Sequence, residues 1–248
     1  MIPFLTRSKK STAPAHFDVI HGEAVYRVRV RRMPRARRFT LRVNAATRDV
    51  TLSMPLRADL ISARDFVDRH GAWIATRIDR LGGEIAIAPD IEIPFRGVMH
   101  RIIHRPHARG TVWFEQDDAK GPCLVVAGSI DHASRRLRDF LKKEARRALD
   151  HAVQHYTEAL GIPARRIALK DTKSRWGSCS ADGRLNFSWR LILAPPEILD
   201  YLAAHEVAHL KELNHSPRYW ALVASLYPEY RSAESWLKRH GMNLHRYR

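Results

Sequence analysis

The sequence is short of cysteine, of long apolar runs and of acidic residues, and each shortage narrows the class of protein. Two cysteines, Cys123 and Cys179, cannot build the disulfide framework of a small secreted domain. No run approaches the roughly eighteen apolar residues that a transmembrane helix needs, so we expect no membrane insertion. The first ten residues place basic side chains after a short apolar run, the reverse of a secretory signal. These features together predict a cytoplasmic protein.

What is present fits a folded enzyme or binding protein with a basic surface. Apolar residues make up 45% and charged residues 28% of 248, which excludes collagen-like and wholly disordered chains. Lysine and arginine number 43 against 26 acidic residues, a formal net charge of +17. Such a charge attracts nucleic acid or small anionic substrates, although a bias toward solubility explains it equally well.

Hydrophobic periodicity predicts an α+β fold in three parts. Residues 1–15 read as a disordered tail. Residues 16–130 read as a β-rich part, with alternating strands up to Val43 and one helix over Asp59–Leu81. Residues 131–248 read as a second domain, which carries a long helix ended by Gly161 and further helices over 196–213, from 217, and over 229–240, where Gly241 is the predicted stop.

Two basic segments are predicted to give non-specific contacts with nucleic acid. Eight arginines and no acidic residue lie between Arg27 and Arg42, where the strand pattern puts alternate side chains on one face. The helix that follows residue 131 has a basic face over 135–147. A solvated sheet face and a solvated helix face are the alternatives.

The strongest chemical signal is His205-Glu206-Val207-Ala208-His209, which falls on a predicted helix. Histidines at i and i+4 lie one turn apart on the same face and suit two ligands of one tetrahedral metal. Glu206 lies beside them, where its carboxylate can take a proton from an activated water. The flanking apolar residues indicate a buried helix, in which these polar side chains would be costly without a shared partner. The pattern therefore predicts a catalytic zinc site.

A catalytic zinc needs a third protein ligand and one open position. We favour His215, because Asn214 can end the helix and turn the chain back toward the metal. A carboxylate from a later helix, Glu229 or Glu234, is the alternative, as in thermolysin-like enzymes. Arg175, Trp176 and Tyr219 are predicted to contact substrate, with Arg175 holding an anionic group or a developing oxyanion.

Three segments carry a resemblance to a known family. They are Trp176-Gly177-Ser178-Cys179-Ser180, Leu202 to Leu210 around the histidine pair, and Asn214-His215-Ser216-Pro217-Arg218-Tyr219-Trp220. In these segments the chain resembles the YgjP-like metal-dependent hydrolases, which are grouped with the M48-type and SprT-like zinc metallopeptidases. The resemblance implies a zincin-like fold from about Arg27 to His240. It also implies that His205, His209 and His215 bind the metal and that Glu206 is the catalytic acid and base.

These observations predict a zinc-dependent hydrolase in which activated water attacks a peptide or amide carbonyl. Two alternatives stay open at this point. The same metal chemistry in a basic cleft suits a phosphohydrolase acting on nucleotides. The arginine-rich part also suits a protease that is held on nucleic acid.

Overall fold

A computed structural model describes residues 16–44, 47–119, 121–172 and 175–248. Its internal contacts divide the chain into two units, Met1–Gly82 and Gly83–Arg248. The described part contains six α-helices and three β-sheets, which confirms the α+β class. The predicted tail over residues 1–15 lies outside the described residues.

The first unit is a four-stranded sheet with two helices on one of its faces. The strands are β1 (His16–His21), β2 (Ala24–Met33), β3 (Thr40–Val43) and β4 (Val50–Pro55), in the order β1-β2-β4-β3, and the helices are α1 (Leu60–Arg69) and α2 (Gly71–Asp79). Alternate side chains such as Val28 and Val30 are buried in one cluster with Val67 and Ile74 of the helices. The opposite face of this sheet carries the polar residues of the alternation.

The single helix predicted over Asp59–Leu81 is two helices, and that prediction was wrong. Asp59 caps α1 as its side chain accepts a hydrogen bond from the backbone of Ser62 (2.7 Å). The helix ends at His70, whose φ of −101° and ψ of 12° leave the helical region. Gly71 then starts α2 in a buried position beside His21 of β1. The break is set by packing against the sheet, which helical periodicity does not reveal.

The second unit holds two sheets and four helices around one core. Its strands and helices are β5 (Glu92–Phe95), β6 (Val98–Arg105), β7 (Val112–Asp117), β8 (Gly121–Ala127), α3 (Ala133–Leu160), β9 (Arg166–Lys170), β10 (Gly177–Cys179), β11 (Arg184–Ser188), α4 (Pro196–Ala208), α5 (Pro217–Leu226) and α6 (Tyr230–Leu244). Short 3₁₀ helices cover Ile130–His132 and Trp189–Leu193. The sheets have the orders β5-β6-β8-β7 and β10-β11-β9.

The core of this unit explains where the chain divides. Leu124 and Val126 of β8 share a buried cluster with Leu137 and Leu141 of α3 and with Ala203 of α4. The strands before residue 130 therefore pack with the helices after it. For this reason the first unit ends at Gly82, whereas the sequence suggested a boundary after residue 130.

Two glycines show different reasons for a glycine near a helix end. Gly161 has a φ of 70° and ends α3, as predicted, in the left-handed conformation that glycine adopts at low cost. Gly241 does not end α6, which continues to Leu244. It lies against Trp176, whose Nε1 would be 3.1 Å from a Cβ at that position. Close approach of two elements, and not helix termination, requires this glycine.

No helix among the described residues has the length and apolar character needed to cross a bilayer.

Candidate metal centre

Three histidines from α4 and the loop after it converge in the second unit. α4 ends at Ala208, shorter than the predicted helix to residue 213, and His209 is its C-terminal cap. His205, one turn earlier, directs Nε2 toward Nε2 of His215 at 3.4 Å. A nitrogen from each of the three rings lies within 4.8 Å of the other two. These are the three histidines that the sequence analysis placed together.

A tight connection between α4 and α5 brings His215 to the pair. The backbone of Ser216 donates to the carbonyl of Asn214 (2.7 Å), which turns the chain just past His215. The Ser216 side chain then accepts from the backbone of Tyr219 (3.3 Å), and Pro217 fills the first position of α5. His215 is thus held between two helix ends. Its side chain is exposed, so the histidine cluster has a side open to solvent.

The alternative carboxylate ligands are not within ligand distance of the three histidines in the described structure. Neither Glu229 nor Glu234 belongs to the group of described residues that can share one ion with the histidines. Glu234 forms an ion pair with Lys238 one turn further along α6 (2.7 Å). Glu229 is exposed and occupies the N-terminal cap position of α6.

The hydrogen bond of His209 fixes which ring nitrogen is free. Nδ1 of His209 lies 2.9 Å from the carbonyl oxygen of Glu212. A carbonyl oxygen only accepts, so Nδ1 carries the proton and the lone pair is on Nε2. Metal-binding histidines commonly use this arrangement, in which the second nitrogen donates to a fixed acceptor.

Two buried tyrosines, Tyr201 and Tyr219, contact the histidine cluster. The ring of Tyr219 stacks on His209, with centroids 4.4 Å apart, and its hydroxyl donates to the backbone carbonyl of His205 (3.0 Å). The hydroxyl of Tyr201 contacts Nδ1 of His205 at 3.4 Å. Tyr201 is four residues before His205, so a shared helix face was a signal in the sequence for this contact.

Glu206 occupies a pocket that leaves one carboxylate oxygen without a partner. The residue is 4% exposed, and its Oε2 has no hydrogen-bond partner in the described structure. Its other oxygen lies against Gly177 of β10, where a Cβ would approach Oε1 to 2.4 Å. Gly177 was singled out only as part of a segment that resembles the YgjP-like hydrolases, and its contact with Glu206 was not predicted, because only the fold brings these two positions together.

Burial controls the protonation of His205, Glu206 and His209. It lowers the pKa of His205 to about 3, with a further decrease caused by His209 and His215, and it also lowers the pKa of His209. The same loss of water raises the pKa of Glu206 to about 8, while the positive charge of Arg175 opposes the increase. His205 and His209 are therefore neutral at physiological pH, which is the form that binds a metal ion.

The three residues predicted to contact substrate lie in different environments. Arg175 is exposed and close enough to Glu206 to act on its pKa. Trp176 is half-buried and stacks on His245 near the end of the chain (4.4 Å between centroids). Tyr219 is fully buried, and its hydroxyl is bonded to the α4 backbone, so it lies beneath the histidines and does not face an open cleft.

One further aromatic residue borders the cluster. The ring of Trp220 lies 5.7 Å from the ring of His215 and 5.9 Å from that of His205. Its other side stacks on Tyr230 at 5.5 Å. The position of Trp220 beside the histidines was not predicted, because aromatic residues on a helix also fit an ordinary hydrophobic core.

The residues present fit a divalent metal ion. Three imidazoles converge from the end of one helix and the loop after it, and the lone pair of one is already placed on Nε2. A buried carboxylate oxygen without a partner lies one residue from a ligand position. A shared cation would explain the convergence of the three ring nitrogens, and the nearby carboxylate oxygen is left free to exchange a proton.

Comparison with known proteins agrees with this geometry. No curated protein and no solved structure matches the chain. A family model described as YgjP-like, metallopeptidase domain, matches residues 37–240, a range that includes the three histidines, Glu206 and Gly177. The match covers most of the chain and extends over both units. The protein therefore belongs to the YgjP-like family and carries its metallopeptidase domain.

Proposed function

We propose that the protein is a zinc-dependent peptidase whose centre is formed by His205, His209 and His215. The observation that carries the proposal is the convergence of the three ring nitrogens within 4.8 Å beside the buried Glu206 carboxylate. Three protein ligands with one side open to solvent are typical of catalytic zinc, whereas structural zinc sites are closed by four. Zinc held there supplies Lewis acidity, which lowers the pKa of water and polarises a carbonyl group.

Glu206 is the proposed proton carrier. Its unpartnered Oε2 accepts the proton of the attacking water, and the same oxygen later delivers that proton to the leaving nitrogen. Burial raises the pKa of Glu206 and favours its protonated form, whereas the charge of a bound metal ion would lower that pKa and keep the carboxylate ionised until it accepts the proton. The contact with Gly177 limits the positions that this side chain can take.

We propose that an extended peptide substrate binds along the free edge of β10. β10 pairs with β11 on one side only, in the sheet order β10-β11-β9 of the described strands. An added strand gains backbone hydrogen bonds without requiring a particular sequence. Since β10 begins at Gly177, a peptide on this edge lies next to Glu206.

Arg175 is the proposed charge contact in the cleft. It is exposed, lies two residues before Gly177, and acts on the Glu206 carboxylate. Its guanidinium is placed to hold an anionic side chain of the substrate or the developing oxyanion. Buried Tyr219 has a different proposed role, which is to fix the orientation of His209.

The test is a cleavage screen of zinc-loaded protein against a peptide library, read by mass spectrometry, with nucleoside triphosphates as a parallel panel. Glu206→Gln is the matched blank, because glutamine has the same shape but cannot accept the proton. We expect peptide cleavage by the parent and almost none by the variant, with about one zinc per chain in both. Triphosphate hydrolysis that depends on Glu206, without peptide cleavage, would identify a phosphohydrolase instead.

A further inference from the structure

The first unit has a sheet face that no helix of that unit covers, and arginine dominates its centre. We call it the outer face and define it by Arg29 and Arg31 of β2, Thr51 and Ser53 of β4, and Thr40 and Arg42 of β3. The alternate residues of the same strands, such as Val28 and Leu52, are fully buried beneath the helices. The arginines of this face are all exposed.

Strand register orders these side chains into two rows. Arg29 pairs with Thr51, and Thr51 pairs with Arg42, so a hydroxyl lies between two guanidinium groups. In the second row Arg31 pairs with Ser53, which pairs with Thr40. Neighbouring strands are about 4.8 Å apart and the two rows about 6.7 Å apart. The six side chains of the two rows therefore lie within a small area.

The positive charge of this face is not neutralised within the protein. Among the described residues, no carboxylate forms an ion pair with Arg29, Arg31 or Arg42. Asp18 on β1 shares the face, but it is paired with Arg27 (3.1 Å between Nε and Oδ1). Three guanidinium groups therefore remain available to an outside anion.

The other basic segment of the chain differs in this respect. On α3, Arg135 pairs with Asp139 (3.8 Å) and Arg146 pairs with Asp150 (2.7 Å), each one turn away. Arg136 donates to the backbone carbonyl of Ala127. Acidic partners thus neutralise only part of the α3 charge, and Lys142, Lys143 and Arg147 are exposed with no ion pair among the described residues. We prefer the sheet because none of its three arginines has an acidic partner in the described part of the chain and strand register sets their spacing.

We propose that the outer face binds the phosphodiester backbone of nucleic acid. Guanidinium and hydroxyl groups both contact phosphate oxygens, and each of the two rows contains both. A flat face more than one strand wide suits a polyanion with regularly repeated charges better than a single small anion. Contacts to phosphate carry no sequence information, so we expect binding to be independent of base sequence. This inference goes beyond the proposed peptidase activity and does not depend on it.

The test uses the full-length protein and fluorescence anisotropy of a labelled duplex and a single strand of the same sequence. The variant combines Arg29→Gln, Arg31→Gln and Arg42→Gln. The matched control, Arg69→Gln with Arg77→Gln and Arg80→Gln, removes the same charge from exposed positions at the ends of α1 and α2. We expect the outer-face variant to bind at least ~10-fold more weakly than the parent. The slope of log K against log salt, which is negative, should become less steep by about 2 to 3. The control should change far less.

Several results would overturn the proposal. One is equal weakening by the two triple variants, since net charge alone would then explain binding. Another is unchanged binding by a folded outer-face variant, or binding of phosphatidylserine vesicles without binding of either nucleic acid. If the triple variant does not fold, Arg29→Gln alone decides the question, because one lost phosphate contact reduces the salt slope by about 0.7 to 0.9.

Discussion

The carboxylate of Glu206 rests directly on the backbone of Gly177, with Oε1 2.4 Å from the position that a Cβ would take. Gly177 does not have the positive φ that favours glycine, so space alone requires a glycine here. A strand at the edge of one sheet thereby holds the side chain of a residue in the middle of α4.

Gly177→Ala tests this contact. The added methyl group forces the Glu206 carboxylate away from its position, so we expect peptide cleavage to fall by at least ~10-fold, as positioning defects of about 1 Å do. Zinc content should not change, because the atoms nearest to the added methyl group belong to Glu206 and not to a histidine. Gly83→Ala is the control, since nothing lies within 4 Å of a Cβ there and its φ is not positive. Equal activity of the two variants would contradict the positioning role.

His215→Ala should weaken zinc binding strongly, while Glu234→Ala and Glu229→Ala should not. Only His215 places a ring nitrogen with those of His205 and His209 among the described residues. The measurement is competition for zinc against a chromogenic chelator for the three variants. Retention of zinc by His215→Ala together with its release by a glutamate variant would indicate a thermolysin-like ligand set.

Tyr219→Phe separates a supporting role from contact with substrate. The ring stacked on His209 is kept, and only the hydrogen bond to the carbonyl of His205 is lost. We expect the free energy of unfolding to fall by about 1 kcal/mol, with kcat reduced only slightly. A fall in kcat of roughly 100-fold or more would instead assign the hydroxyl to the oxyanion. Urea unfolding and steady-state kinetics on the same preparation give both values.

Acid should destabilise the protein partly through His245. Burial lowers the pKa of this residue from 6.5 to about 4, and the charge of Arg190 adds to the decrease. The unfolded chain therefore binds a proton more readily between these values, so stability present above pH 6.5 is lost as the pH falls toward 4.

We expect the zinc-free parent to lose about 2 kcal/mol more than His245→Phe between pH 7 and pH 4.5, measured by urea unfolding. Phenylalanine keeps a ring against Trp176 and cannot be protonated. Because every other titratable group is common to both proteins, the difference between their pH dependences isolates His245. Identical pH dependence would exclude its contribution.

Local patterns predicted the parts of the fold that local geometry determines. The alternation along β2 and the end of α3 at Gly161 were both foreseen, because the strand period and the left-handed glycine act within a few residues. The break at His70 and the continuation of α6 past Gly241 were not. Both result from contacts with distant elements, His21 for the first and Trp176 for the second.

In the candidate site, too, local spacing was predictable from the sequence and contacts between distant elements were not. His205, Glu206 and His209 are neighbours on one helix, and His215 is only six residues further, so spacing alone brought them together. Gly177 and Tyr219 complete the surroundings of Glu206 and His209 through the packing of β10 and α5 against α4. The segment around Gly177 was singled out by its family resemblance, but its residue pattern alone does not indicate that its neighbour in space is a carboxylate.

The position of Trp220 gives the protein an optical reporter of its own metal centre. Its indole lies within 6 Å of two of the three imidazoles. A paramagnetic ion such as Co²⁺ in place of zinc would quench emission from an indole at this distance, and Trp220→Phe would show how much of the signal arises there among the six tryptophans. Occupancy of the three-histidine centre can thus be followed by fluorescence, in any variant and before any substrate is known.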